Sequence, residues 1–297
     1  MIRIGDMDPA YGALEYVSNR FELNIEQRFW LAFLYSTCYS GATTFYLYNE
    51  FPDFEQISLK RINLWWNANK HKTLFQSDRR WIKSRNEFPQ MVKSYRETVK
   101  SMAPSQYLFY QKLKGTTNSQ WYQNAYQAAS GIYGMGRFGL FIYLEAVARI
   151  GQINMEPRGL DLKNSESSRN GLCYALGLNQ MITGKETGRA KLSDKEIKYL
   201  DTQFKVLESK VKKADSSGLS NVWNIETSLC AFKKYMRTLV YPDTPKNHRR
   251  YLGYYLDRQA DEISVMQQNV DKGVCWDVLW QYRQESLDKT YLKEFKK

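Results

Sequence analysis

The chain is short of the residues that staple small proteins together or hold metals. Its four cysteines, Cys38, Cys173, Cys230 and Cys275, are scattered and form no C-x-x-C pair. That excludes zinc-finger and iron–sulfur spacing and leaves no need for a disulfide framework. His71 and His248 are the only histidines, which all but excludes a multi-histidine metal site. Proline (7) and glycine (17) are sparse for 297 residues, favouring regular, mostly helical structure. No apolar run reaches the roughly 18 residues of a membrane span. The opening Met1-Ile2-Arg3-Ile4-Gly5-Asp6 lacks the apolar core of a signal peptide. The chain reads as cytoplasmic, with no membrane partner. Acidic charge is the scarcer sign, 31 Asp and Glu against 43 Lys and Arg, and the net +12 favours a polyanion, nucleic acid first.

Apolar residues make up 43% of the chain, enough for a core without metals or disulfides. Aromatics reach 15%, with 22 Tyr and 8 Trp. Most such rings pack in cores, and some can stack on bases. Helical spacing is plain from Glu26 to Tyr39 and from Thr43 to Asn49. Ser58 can cap a helix carrying Leu64, Trp65 and Trp66, and Ser77 or Asp78 one carrying Arg79, Arg80, Lys83 and Arg85. Pro89 should end or kink that second helix. Further helices are expected over 118–130, 137–150, 164–176, 223–238, 247–268 and 274–285. Ser193 and Glu196 form a capping box that opens another, running to about Ala214. Alternating strand patterns are scarce, so the fold class is all-α. The organisation is one helical domain over 1–297, or two lobes, about 1–117 with 180–297 and 118–179 around a hairpin.

The most informative stretch is Gly131-Ile132-Tyr133-Gly134-Met135-Gly136-Arg137-Phe138-Gly139, followed by an apolar helix and then Gly159-Leu160-Asp161. Its glycines leave backbone N–H groups uncovered at a helix start, which suits phosphate. Gly134 to Gly139 matches G-x-G-x-x-G, but the segment before it is helical, whereas a dinucleotide fold requires a strand there. Ile132 to Gly136 fits the apolar-x-Gly-apolar-Gly hairpin between two helices. It resembles the hairpin of the helix-hairpin-helix DNA glycosylase superfamily. Gly159-Leu160-Asp161-Leu162, Arg169 and Leu172 to Gly177 look like that superfamily's catalytic aspartate and following helix. Phe138 stands where the lyase members carry a Schiff-base lysine, and Leu140 replaces a usual small residue. The competing reading is a tight turn that merely packs two helices.

A narrower resemblance joins Phe75-Gln76-Ser77-Asp78-Arg79-Arg80-Trp81-Ile82-Lys83, the hairpin, and the segment Trp223 to Lys234. Together they are similar to the phage-type amino acid:DNA transferases, or α-glutamyl/putrescinyl thymine pyrophosphorylases. The resemblance implies a glycosylase-like helical core with added helices. It also implies a C–N bond-forming step on double-stranded DNA carrying a modified thymine. There an amino acid or polyamine amine displaces pyrophosphate from pyrophosphorylated 5-hydroxymethyluracil. A bacteriophage protein of this kind would work in the cytoplasm of its infected bacterial host.

The residues suit that chemistry. Arg79, Arg80, Lys83 and Arg85 can hold the leaving pyrophosphate or the DNA backbone, since guanidinium forks bind phosphate oxygens bidentately. Asp161, placed after the hairpin, and Glu226, mid-helix between Ile225 and Leu229, are the candidate catalytic carboxylates. Asp161 can equally cap the next helix, and Glu226 can pair with Lys233 or Arg237. The N–H groups of Gly134, Gly136 and Arg137 would dock the DNA backbone. Tyr133 and Trp81 could stack on a base, although core packing is the commoner fate of such rings. No protein metal site is read. Mg²⁺ often accompanies pyrophosphate, so it stays open as a cofactor. The alternatives are a helix-hairpin-helix glycosylase acting on a modified base and a non-enzymatic DNA-binding module.

Overall fold

The structure, a computed structural model, describes residues 9–76, 79–84, 87–184, 187–215, 218, 220–240, 254–270 and 276–294. Among these the fold is all-α. The one β-feature is an isolated antiparallel bridge between Gly184 and Arg189. The chain divides into two units, one of Pro9–Met155 with Tyr255–Lys297, the other of Met1–Asp8 with Glu156–Tyr254.

The larger unit is built on two helices apolar nearly all round. In α2 (Ile25–Cys38) every residue from Phe29 to Cys38 is buried, and α9 (Arg137–Ile150) is buried from Ile142 to Ala148. A helix with no polar face belongs in the centre of its unit. Asn24 and Gln27 close a capping box at the start of α2, at 3.0 and 2.9 Å. Between α2 and α9 lies a stack of large rings. Phe33 lies parallel to Tyr95 at 4.0 Å, and Tyr143 meets Phe33 edge-on at 6.0 Å. The polar tips of that stack are paired, Tyr110 donating to Tyr143 and Tyr95 donating to Gln106 at 2.6 Å. Burial pushes all three tyrosine hydroxyls upward, so they stay neutral donors.

Around this pair lie α1 (Pro9–Arg20), α3 (Gly41–Glu50), α4 (Leu59–Asn69), α5 (Arg80–Ser84), α6 (Phe88–Met102), α7 (Gln106–Lys112) and α8 (Asn118–Ala129). The C-terminal α13 (Tyr254–Gln267) and α14 (Trp276–Glu294) complete the unit. Ser58 caps α4, accepting from the Arg61 N–H at 3.4 Å. Pro89 neither ends nor kinks a helix. It sits in the first turn of α6, where a missing N–H costs nothing. The proposed caps Ser77 and Asp78 lie outside the described residues, and the helix after them is only α5, so Arg79 stands in the turn before it.

The smaller unit packs α10 (Glu166–Ala175), α11 (Asp194–Ala214) and α12 (Val222–Val240) round Leu162, Leu172, Leu200, Phe204, Ile225 and Leu229. The backbones of α10 and α12 nearly touch. A Cβ added to Gly171 would fall 2.1 Å from the Leu229 carbonyl oxygen. The expected Ser193–Glu196 capping box opens α11, the carboxylate accepting from the Ser193 N–H at 2.9 Å.

Candidate active site

The α8–α9 turn is shaped by what its glycines leave out. Gly134 has φ +74°, a conformation that side-chain-bearing residues rarely adopt, and a Cβ there would lie 2.9 Å from the Trp81 ring. Gly136 is the N-cap of α9 and caps it with no side chain. Helix geometry leaves the N–H groups of Arg137, Phe138 and Gly139 without acceptors inside α9, whose ladder begins with Leu140 N–H to Gly136 O at 2.9 Å. No acidic residue occupies that first turn. Gly136 and Arg137 are exposed.

Arg79 is set against this helix start. Its side chain is buried, 4% exposed, and a Cβ on Gly139 would fall 2.1 Å from one guanidinium nitrogen. The bare Cα of Gly139 is therefore the floor on which the guanidinium rests. A cation and the positive end of a helix dipole converge there, and both favour an anion. The other cations do not share this position. Arg80 is exposed. Lys83 donates to the Thr73 backbone carbonyl, and burial, with Arg80 nearby, holds its amine below the usual lysine value. Arg85 lies outside the described residues.

Of the two stacking candidates, Trp81 is half-buried beneath Gly134. Tyr133 is exposed but tethered, its N–H donating to Ser94 at 2.8 Å and its hydroxyl to Glu87 at 2.5 Å. Phe138 presents more free surface, 44% exposed, with its ring edge-to-face on Tyr39 at 6.0 Å. Tyr39 itself has φ +52°.

Both candidate carboxylates belong to the smaller unit. Asp161 is exposed in a left-handed conformation, φ +49°. Its carbonyl accepts from the Asn164 and Ser165 N–H groups at 3.0 and 2.9 Å, and its carboxylate accepts from the Asn164 amide at 2.9 Å. The turn is secured by buried Arg169, which donates to the Leu162 carbonyl at 2.8 Å and to Thr183 Oγ1 at 2.8 Å. Partial desolvation raises the carboxyl of Asp201 on α11, and the charge of Asp161 adds to the rise. Glu226 is half-buried on α12 and accepts from the Cys230 thiol at 3.1 Å. Burial, then the Glu226 carboxylate, push that thiol well above its usual value, so it remains a donor. Lys233 turns to Ser167 at 3.3 Å and to Glu166 at 4.0 Å.

Three polar groups escape a reading by residue type. Glu145, buried mid-way along apolar α9, lies 3.7 Å from Arg149; an acid inside an apolar run was its one visible signal. Gln76 and Glu262 are 2.6 Å apart across 186 residues, which no local pattern reveals. Among the described residues no group of three or more His, Cys, Asp or Glu is arranged to hold a metal.

Residues 2–239 match the family described as amino acid:DNA transferase. The chain belongs to this family. It is also similar to a protein of Salmonella phage ViI named serinyltransferase, 27% identical over 286 residues. That alignment covers 91% of this chain and 66% of the relative, so the chain spans just under two thirds of the relative's length. No solved structure matches. The family match takes in Arg79, the glycine turn, Asp161 and Glu226, and ends before α13.

Proposed function

We propose that the chain transfers an amino acid or polyamine amine onto the 5-methylene of pyrophosphorylated 5-hydroxymethyluracil in DNA, with release of pyrophosphate. The amine nitrogen attacks the methylene carbon. The carbon–oxygen bond to pyrophosphate breaks, its electron pair leaves on oxygen, and the new amine loses a proton. The observation that carries the reading is the buried Arg79 guanidinium on Gly139 in the first turn of α9, in a chain of this family. Charge growing on a leaving pyrophosphate is best stabilised by fixed donors away from water. A buried arginine suits a small anion better than a duplex backbone, whereas exposed Arg80 and Arg137 suit the backbone.

Asp161 is the proton acceptor in this reading and Glu226 the second candidate. The name of the phage relative puts serine first among the amines. DNA with a modified thymine and a small amine are then the partners, and the cytoplasm of an infected bacterium the setting. Mg²⁺ can accompany pyrophosphate without a dedicated protein cage.

The test is nucleoside mass spectrometry on DNA bearing the pyrophosphorylated base, incubated with the protein and a pool of amino acids and polyamines. An adduct of matching mass, serine foremost, is expected. Abasic sites with loss of the modified base would assign a glycosylase instead. Unchanged DNA would leave only binding.

A further inference from the structure

Three donors from three segments converge on one buried carboxylate, that of Glu262 on α13. Ser40 donates to Oε2 at 2.9 Å, Gln76 to Oε1 at 2.6 Å and Arg258 to Oε1 at 3.3 Å. Each donor has a second tie. Ser40 caps α3, accepting from the Thr43 N–H at 3.4 Å. Arg258 donates to the Tyr39 carbonyl at 3.4 Å and lies over the Tyr39 ring at 5.3 Å. Gln76 is clamped along its backbone: its N–H donates to the Cys38 carbonyl at 3.1 Å, and its carbonyl accepts the Arg79 N–H at 2.8 Å.

A line of contacts thus runs from Glu262 through Gln76 to the backbone of Arg79, and from the Arg79 guanidinium to Gly139. The Cys38 thiol lies within electrostatic reach of both ends. Burial pushes it up to about 12, and of the charges acting on it Glu262 raises it and Arg79 lowers it. An apolar contact would hold α13 in place without desolvating a carboxylate. What a carboxylate adds is direction, because it fixes the orientation of the amide it accepts from.

We propose that Glu262 is a positioning residue for Arg79, orienting through Gln76 the turn from which the guanidinium reaches α9. Glu262 lies beyond residue 239, where the family match ends, so α13 supports a site whose other parts lie within the matched segment. The proposal rests on the reading of Arg79 as the pyrophosphate ligand.

The experiment titrates inorganic pyrophosphate into the full-length protein by calorimetry and measures turnover and thermal unfolding beside it. Four forms are compared: wild type, Arg79→Ala, Glu262→Gln, and the exchange Gln76→Glu with Glu262→Gln, which keeps one amide–carboxylate hydrogen bond between the two positions. Glu262→Gln is expected to weaken pyrophosphate binding by about tenfold, with the KM for DNA unchanged. The exchange is expected to return affinity to within about threefold of wild type. A purely structural role would lower the unfolding temperature of Glu262→Gln and leave pyrophosphate affinity in the folded protein unaltered; that result overturns the proposal. So does an exchange variant that folds as wild type without regaining affinity. If Arg79→Ala binds pyrophosphate as well as wild type, the reading of Arg79 itself fails and takes this proposal with it.

Discussion

The two units hold their candidate groups in opposite ways. In the larger, Arg79 is enclosed, its guanidinium seated on Gly139 at the start of α9. In the smaller, Asp161 projects from an exposed turn and Glu226 is half-buried on a helix face. The contrast follows the work each charge would do. A group that stabilises a leaving anion gains from low-dielectric surroundings and fixed geometry. A group that takes a proton from an incoming amine must be reached from solution. The smaller core of the Asp161 unit is sufficient for that, because the turn is set by local hydrogen bonds and by Arg169.

The contrast is broken most directly by removing its exposed side. Asp161→Asn keeps the turn's size and polarity and is expected to lower turnover by about 10²- to 10⁴-fold with DNA affinity unchanged, as read by adduct formation beside a filter-binding assay. Full turnover would free Asp161 of any chemical role. On the enclosed side, Arg79→Ala should lower turnover by about 10²- to 10³-fold. Gly139→Ala sharpens the point. Its Cβ would fall 2.1 Å from a guanidinium nitrogen of buried Arg79, so the side chain must leave its seat, at about 1–3 kcal/mol of stability, and turnover of the folded protein should fall toward the Arg79→Ala level. Equal turnover in Gly139→Ala and wild type would mean that the seat of the guanidinium is immaterial.

Gly171→Ala probes the smaller unit by stability instead. The new methyl meets Leu229 backbone, which cannot step aside as a side chain can, so a loss of about 1–3 kcal/mol is expected in denaturant unfolding. The smallest effect concerns pH. The Ser193 N–H, the Arg189 guanidinium and the Ser193 hydroxyl hold the Glu196 carboxyl at about 2, below its ordinary 4.5. The stabilisation from that capping box is present above the ordinary value and is lost as pH falls through about 2. Thermal unfolding of wild type should therefore decline over that window, and Glu196→Gln should flatten part of the decline.

Local patterns carried much of the architecture. The helix expected over 137–150 is α9 residue for residue, and Ser58 and the Ser193–Glu196 box cap the helices they were expected to open. These signals are short-range, residing in apolar spacing and in side chains three residues from the N–H they serve. Pro89 shows the limit, since the same residue stops a helix or starts one depending on what precedes it. Arg79 and Lys83 have the i, i+4 spacing of one helix face, yet Arg79 turns to Gly139 and Lys83 to Thr73. Nothing within a window of four residues could distinguish them. Glu262 was beyond sequence reading altogether, because its relevance depends on the tertiary contact that brings it to Gln76.

The enclosure of Arg79 also bears on the end of the reaction cycle. An anion gripped by the guanidinium of so buried a residue leaves slowly. If pyrophosphate is that anion, its departure rather than bond formation paces the steady state, and a rapid first round of adduct should precede slower turnover. Free pyrophosphate would then raise the unfolding temperature in proportion to the logarithm of its concentration. The discarded half of the substrate would be the protein's own stabilising ligand.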